Sequence, residues 1–386
     1  MIPQTTQTSA TTGDDVGRHA VRWGRVTIIA GAIIAFLIGS GFATGQEILQ
    51  YFASYGYWGI FGTGLLVLVL MTYVCAEFLR AGEAQKFERP GLIYHYYGGK
   101  IIGTFYDYFS ILFIFLSFTV MISGMGALFQ EQYDLPVASG GIGLAVVAAL
   151  TVGLGLTRLT NVIGRIGPVI VILAIGLGLV AVVRNPGGIA EGNTVLSSLE
   201  VTQASGNWFL SALSYVGFCM LWLAAFLAAE GRTTRSAREA KLGGVLGATA
   251  FSVACIVVAL GLLANIEAVA GMEIPMLYLA RDISPALASV FSIIIVAGIY
   301  TTAVPLLWTV SARFFADRSR PFQILAVALA ALGTFIGLLV PFSQMVNVVY
   351  VINGYVGILL LALMLLKTFR RLSSRPYREA DRAVTG

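Results

Sequence analysis

The chain has 386 residues, of which 58% are hydrophobic and 11% charged, and its mean hydropathy is +0.86. A typical soluble domain carries roughly 25% charged residues, so this composition excludes an ordinary soluble protein. Apolar runs long enough to cross a bilayer as helices recur from Val26 to Leu366. The net charge of +5 comes from residues that flank these runs, so it indicates membrane topology and contact with anionic lipid, and no nucleic-acid partner.

The apolar runs predict an all-α membrane protein of ten transmembrane helices. The predicted spans are 26–55, 57–79, 101–129, 136–157, 161–183, 207–229, 240–264, 285–312, 321–341 and 345–368. Residues 1–24 are polar and are predicted to be a disordered cytoplasmic tail, and residues 369–386 a second cytoplasmic tail. The transmembrane domain then covers residues 25–368.

The distribution of basic residues predicts the orientation. If the N-terminus is cytoplasmic, all but two of the 24 lysines and arginines fall at cytoplasmic positions, and the exceptions are Arg184 and Arg281. Cytoplasmic loops retain an excess of lysine and arginine. We therefore expect a multi-pass protein of the cell membrane with both termini in the cytoplasm.

Three glycines interrupt the first span, at Gly39, Gly41 and Gly45. A helix broken at this depth exposes free carbonyls at the end of its first half and free N–H groups at the start of its second half, and such backbone is stable in a membrane only where it lines a cavity. The break therefore predicts a binding site. The alternative is that the glycines only allow close helix packing. Thr44 and Glu47 have the spacing of a capping box, so Glu47 is either a helix cap or a functional acid.

The second half of the chain has a weaker counterpart of this break. Five spans form an odd number of crossings, so a second set of five would be inverted relative to the first, with repeats at 25–184 and 206–368. Span 6 opens the second set and holds several polar residues and a glycine near its centre, namely Ser211, Ser214, Tyr215, Gly217 and Cys219. This pattern predicts a matching break in span 6.

Span 8 carries the adjacent residues Thr301 and Thr302, followed by Pro305, which cannot donate a hydrogen bond to the carbonyl of residue 301. Counted from the flanking arginines, Thr302 lies at about the same depth as the inner end of the first break, Ala35 to Ile38. Carbonyl and hydroxyl oxygens at one level are suitable ligands for sodium. The alternative is that both threonines only bond to carbonyls of their own helix.

The remaining acids and cysteines support simpler interpretations. Glu77 and Glu230 are predicted to form interfacial salt bridges with Arg80 and Arg232. Asp107 lies deeper and is, with Glu47, a candidate gate or proton-carrying residue. The cysteines have no metal-like spacing and are predicted to be packing residues; they are Cys75, Cys219 and Cys255. No nucleophile, base or metal constellation is present, so we expect neither an enzyme nor a cofactor or metal other than sodium.

The residues Ile38 to Phe42 resemble the signature of the broken first helix in the amino acid–polyamine–organocation superfamily, and the run GSGFATGQEIL is similar to the bacterial YkvI-like membrane proteins. The resemblance implies the LeuT fold, with solute held between broken spans 1 and 6. By this resemblance the solute-binding residues are Gly39, Ser40, Gly41, Phe42, Thr44, Ser214, Tyr215, Gly217 and Phe218. The sodium ligands implied are Ala35, Ile38, Gly298, Thr301 and Thr302.

These observations predict a cation-coupled symporter for a small amino-acid-like or amine solute. Some proton-coupled relatives carry a lysine in the middle of span 5, whereas here Arg165 lies only near its start, which favours sodium. A proton-coupled transporter that uses Asp107 or Glu47 is one alternative. A solute sensor or scaffold without transport is the other, although its expected long soluble domain is missing from the sequence.

Overall fold

A computed structural model describes residues 21–154, 160–234 and 236–373 of the chain, without the side chains of Ser40 and of residues 160–168. The predicted N-terminal tail lies almost entirely outside these residues, and so does the side chain of Arg165. The predicted C-terminal tail begins too early, because the last helix continues through Ser373. Its remainder, residues 374–386, lies outside the described part.

The described residues are almost entirely helical. The helices are α1 (Trp23–Leu37), α2 (Ser40–Thr44), α3 (Gln46–Tyr51), α4 (Gly56–Gln85), α5 (Leu92–Tyr133), α6 (Val137–Leu154), α7 (Thr160–Arg184), α8 (Gly188–Val195), α9 (Trp208–Thr233), α10 (Ala237–Leu263), α11 (Ile266–Val269), α12 (Pro275–Ile283), α13 (Pro285–Phe314), α14 (Arg320–Gly337) and α15 (Phe342–Ser373). A helix is therefore present at each predicted span.

The helices have the length and hydropathy of membrane spans. Within the described ranges, eight helical segments are long and apolar enough to cross a bilayer, and the number is nine if the pair Val169–Arg184 and Gly188–Ser198, bent by 92°, is one span. Helix α1 has only 15 residues and is shorter than a span because the first membrane segment is interrupted. The chain is thus a multi-span helical membrane protein.

The first span has the predicted interruption. Helix α1 ends at Leu37, and Gly45 separates α2 from α3 with a φ angle of +84°, a left-handed conformation that favours glycine. The predicted capping box forms only in part. The Thr44 hydroxyl accepts a hydrogen bond from the N–H of Gln46 at 3.5 Å and donates to the carbonyl of Gly41 at 2.8 Å. The Glu47 side chain accepts instead from the hydroxyl of Tyr215 at 2.6 Å, so it is not the second half of the box.

The predicted break in span 6 is also wrong, because α9 is a continuous helix over 26 residues. Its glycine serves helix packing instead. A Cβ atom at Gly217 would overlap the carbonyl oxygen of Gly354, and one at Gly357 would overlap the carbonyl oxygen of Gly217. The three glycines let α9 and α15 approach until their backbones touch, as small residues do in membrane helix pairs.

The ionic contacts at the helix ends follow the predictions in part. Glu77 pairs with Arg80 at 2.6 Å, as expected, and also with Arg371 at 3.1 Å. Glu230 does not pair with Arg232. It contacts Arg25 at 3.2 Å, while Arg232 donates to the carbonyl of Phe87 at 2.9 Å.

The three cysteines are free and buried, as predicted for packing residues.

The close contact between α9 and α15 predicts that one methyl group added at Gly217 destabilises the protein. Gly217→Ala should lower the midpoint of thermal unfolding of the purified protein, since overpacking against backbone atoms costs about 1–3 kcal/mol. Gly143→Ala is the matched control, because a Cβ there meets nothing within 4 Å. It should leave the midpoint unchanged or raise it, since alanine is the better helix former. Equal midpoints for the two variants would contradict the proposed packing.

Candidate functional site

A cavity of about 670 Å³ extends from the break in the first span to one end of the bundle. Its walls come from α1, α5, α9, α13 and α15. Gly91, Asp107 and Arg313 lie at its mouth, close to the start of α5 and the end of α13. Gly41, Glu47 and Asn353 border its inner part. The interrupted backbone therefore lines a space large enough for a small solute, as its stability in a membrane requires.

The opposite end of the bundle is closed by hydrogen bonds between α3 and α15. The Gln50 side chain donates to the carbonyl of Ser343 at 2.8 Å and accepts from the Asn347 amide at 3.1 Å. The backbone N–H of Ser343 in turn donates to Glu273 at 2.6 Å. None of these residues borders the cavity; Gln50 and Ser343 border a second, smaller one of about 170 Å³.

The residues predicted to bind the solute fall into two groups. Gly39, Gly41 and Phe218 border the cavity. The side chain of Ser40 lies outside the described part of the chain. The others are not among the lining residues, although they lie in the same two helical segments; they are Phe42, Thr44, Ser214, Tyr215 and Gly217. Three of the predicted residues therefore border the cavity and five do not. The sequence pattern alone could not separate these two groups.

The predicted sodium ligands lie together. All of them border the same cavity; they are Ala35, Ile38, Gly298, Thr301 and Thr302. The hydroxyls of Thr301 and Thr302 both donate to the carbonyl of Gly298, at 3.1 and 2.9 Å. This is the back-bonding of the simpler interpretation. It still leaves the lone pairs of both hydroxyl oxygens as acceptors, so the arrangement is compatible with a bound cation as well.

Glu47 lies at the inner part of the cavity. Its side chain is buried, and its Oε1 atom accepts a hydrogen bond of 2.6 Å from the hydroxyl of Tyr215. A Cβ atom at Gly41 would lie 2.6 Å from Oε2 of Glu47 and 3.4 Å from the ring of Tyr350. The glycine at position 41 therefore makes room for the carboxylate beside the broken backbone.

Asp107 has a partner that the sequence did not reveal. Its Oδ2 atom lies 2.9 Å from Nε2 of His95, and both side chains are partly exposed at the cavity mouth. Gly99, with a φ angle of +67°, reverses the chain between them, so that the start of α5 packs along its next turns. The Gly98-Gly99 pair before Lys100 was the available signal for this turn.

Two residues of α15 at the cavity were also missed. Tyr350 stacks on Phe218 with ring centroids 4.3 Å apart, and Asn353 has an exposure of 1%. Both border the cavity, three positions apart on one helix face. A buried amide in an otherwise apolar span was the available signal for Asn353.

Known structures with this arrangement are transporters. The fold is similar to that of MhsT in complex with L-phenylalanine, with a TM-score of 0.56, 18% identity and coverage of 89% of this chain and 88% of that one. It is also similar to an Eremococcus coleocola manganese transporter, with a TM-score of 0.54, 14% identity and coverage of 90% and 78%. Both are LeuT-fold transporters, so the chain has a LeuT-like fold.

Sequence relatives agree with the resemblance inferred from the motif. The chain is 24% identical over 358 residues to the uncharacterized membrane protein YkvI of Bacillus subtilis (strain 168), covering 91% of this chain and 98% of the relative. It is 25% identical to the uncharacterized protein YyaD of the same organism, covering 86% and 94%. No family model matches the chain. The similarity to YkvI-like proteins is confirmed, and transporters rather than enzymes as structural neighbours support the expectation that the chain is not an enzyme.

The lining of the cavity predicts which side chains of α9 are accessible to water. Ala225 borders the cavity, whereas the adjacent Ala224 is fully buried. In detergent, Ala225→Cys should react with a water-soluble maleimide and Ala224→Cys should not. The native thiols give little background because all of them are buried. Mass spectrometry of the labelled protein measures the difference, and similar labelling at both positions would contradict the cavity as described.

Proposed function

We propose that the chain is a sodium-coupled secondary transporter that moves a small amino-acid-like or amine solute by alternating access. In this proposal the bundle has ten spans, arranged as inverted repeats of five at residues 25–184 and 206–368. The first membrane segment, α1 to α3, counts as one interrupted span. Similarity to transporter structures supports the class of function, and the position of the cavity supports the mechanism.

The observation that carries the proposal is a cavity that reaches the broken backbone and whose lining residues run from there to Gly91, Asp107 and Arg313. A channel would need a continuous polar path through the bundle. Gln50, Ser343 and Asn347 bond to one another between α3 and α15, and none of them borders this cavity. Alternating access requires such a central site, with one barrier open and the other closed.

The basic residues give the proposed orientation. The cavity mouth lies at the end of the bundle that carries Arg313 and the start of α5, which is the cytoplasmic end if both termini are cytoplasmic. The structure then corresponds to an inward-open state. The closed contacts around Gln50 form the barrier toward the outside.

The proposed orientation predicts one-sided labelling. Ala225→Cys should react with a membrane-impermeant maleimide in inside-out vesicles and not in intact cells. Glu267→Cys, at an exposed position of α11 near the other end, should show the opposite pattern. Reversal of the two patterns would show that the termini lie outside.

We propose sodium coupling because the five predicted ligands, which offer carbonyl or hydroxyl oxygens to a cation, lie around the break. A cation held by the carbonyls of Ala35 and Ile38 and by the hydroxyls of Thr301 and Thr302 would connect α1 with α13. The segment between α1 and α2 already lies close to α13, since a Cβ atom at Gly39 would be 3.8 Å from the Thr302 hydroxyl. A cation that binds better when these helices are together stabilises that state by its differential affinity.

The sodium site predicts the result of counterflow in proteoliposomes. Sodium should stimulate solute exchange, and Thr301→Ala combined with Thr302→Ala should weaken apparent sodium affinity by about tenfold or more, equivalent to at least about 1.4 kcal/mol. Thr334→Ala is the control, because this threonine back-bonds in the same way to Ala330 at 2.8 Å but lies on α14, away from the cavity.

The remaining outcomes separate the alternatives. If solute exchange does not depend on sodium and is driven by a pH gradient, the coupling ion is the proton. Asp107 and Glu47 are then the residues to test. Solute binding with no exchange under either gradient would favour a sensor over a transporter.

A further inference from the structure

Glu47 differs from the other buried acids of the described chain. Three glutamates have side chains buried to 5% exposure or less: Glu47, Glu77 and Glu239. Glu77 pairs with Arg80 and Arg371, and Glu239 pairs with Arg22 at 3.1 Å. Within the described residues, no lysine, arginine or histidine forms an ion pair with Glu47. Its neighbour is the hydroxyl of Tyr215, which satisfies only Oε1.

An isolated carboxylate is costly to bury, and a single neutral hydrogen bond does not offset the lost hydration. Glu47 borders the cavity, so a ligand can reach it. A cationic group on that ligand would supply the missing counter-charge and form a charge-assisted hydrogen bond, which is stronger than a neutral one. The geometry therefore points to a ligand with a positive charge at this end of the cavity.

Unpartnered polar atoms at the same inner end provide a second, independent observation. Both side-chain polar atoms of Asn353 are buried without a hydrogen-bond partner, although this residue borders the cavity. Buried amides in folded proteins are almost always paired. The amide oxygen can accept a hydrogen bond from an ammonium group, which has donors and no acceptor.

The walls of the cavity around this point are aromatic. Phe218 and Tyr350 are stacked at 4.3 Å and both border the cavity, with Tyr350 next to Gly41 and Glu47. Aromatic faces attract cations, more strongly where water is excluded. The two rings also offer apolar surface for the organic part of such a ligand.

We infer that the inner end of the cavity is an ammonium site, in which the Glu47 carboxylate is the counter-ion for the amine of the solute and Asn353 accepts a further hydrogen bond from it. This inference rests on the transport function proposed above and deepens it, because it makes a cationic amine a requirement of the solute. The amine site and the proposed sodium site lie on different sides of the break: Gly41 faces Glu47, while Gly39 faces Thr302.

The test is ligand binding by the purified full-length protein in detergent with sodium present, measured by calorimetry and thermal unfolding. The probes are L-phenylalanine and L-leucine, their decarboxylated amines phenethylamine and 3-methylbutylamine, and their deaminated acids 3-phenylpropionate and 4-methylpentanoate. We expect at least one amino acid or amine to bind and the matching deaminated acid to bind at least tenfold more weakly.

Variants assign this preference to Glu47. Glu47→Gln should weaken binding of the amine-bearing probe at least tenfold without lowering the unfolding midpoint of the unliganded protein, because it removes a buried charge and keeps the shape. Glu47→Asp should retain the preference for the amine. Glu267→Gln removes a negative charge at an exposed position away from the cavity and should bind as the unaltered protein does.

Three results would overturn the inference. They are equal binding of the deaminated acids, unchanged amine binding in Glu47→Gln, and no binding of any amine-bearing probe. Counterflow separates this failure from that of the proposed function. Exchange of an amine-free acid would support the transport function and contradict the ammonium site. Amine binding that depends on Glu47, without any exchange, would support the ammonium site and contradict the transport function.

Discussion

The backbone of a membrane protein must satisfy its own hydrogen bonds, and the architecture of this chain depends on how that constraint is met around the first span. Between Ile38 and Gly45 the helix is interrupted, and the left-handed conformation of Gly45 redirects the chain into α3. The cavity lies directly against this interruption. One irregular segment therefore determines where the cavity lies and where Glu47 meets it.

The first membrane span differs between the two halves of the bundle. The first has three glycines that interrupt it, whereas α9 remains continuous and uses Gly217 to pack against Gly354 and Gly357. Through that contact α9 holds Tyr215 against Glu47, and α15 holds Tyr350 and Asn353 at the cavity. A closely packed pair of helices thus faces the interrupted backbone of the first span across the cavity.

The buried acids of the described residues differ in whether a basic side chain pairs with them. Glu77 and Glu239 are buried beside arginines near helix ends, where each ion pair connects two or more segments. Glu47 is buried to the same degree without a basic partner in the described residues, at a point that the cavity reaches. Asp107 is intermediate, since it is partly exposed and shares its position at the mouth with His95.

The sequence alone determined the helical membrane class, the positions of the helices and the interruption at Gly39 to Gly45, because hydropathy and glycine content are local properties. It also placed Thr302 at about the depth of Ala35 to Ile38, and these residues do border one cavity. Only the tertiary structure decided that α9 is continuous, that Glu47 bonds to Tyr215 rather than back to Thr44, and that Arg25 rather than Arg232 pairs with Glu230. Each depends on a neighbour more than 100 residues away or on a local backbone geometry that residue spacing does not encode. The same holds for Glu47, since its lack of a basic partner is a property of every helix packed around it.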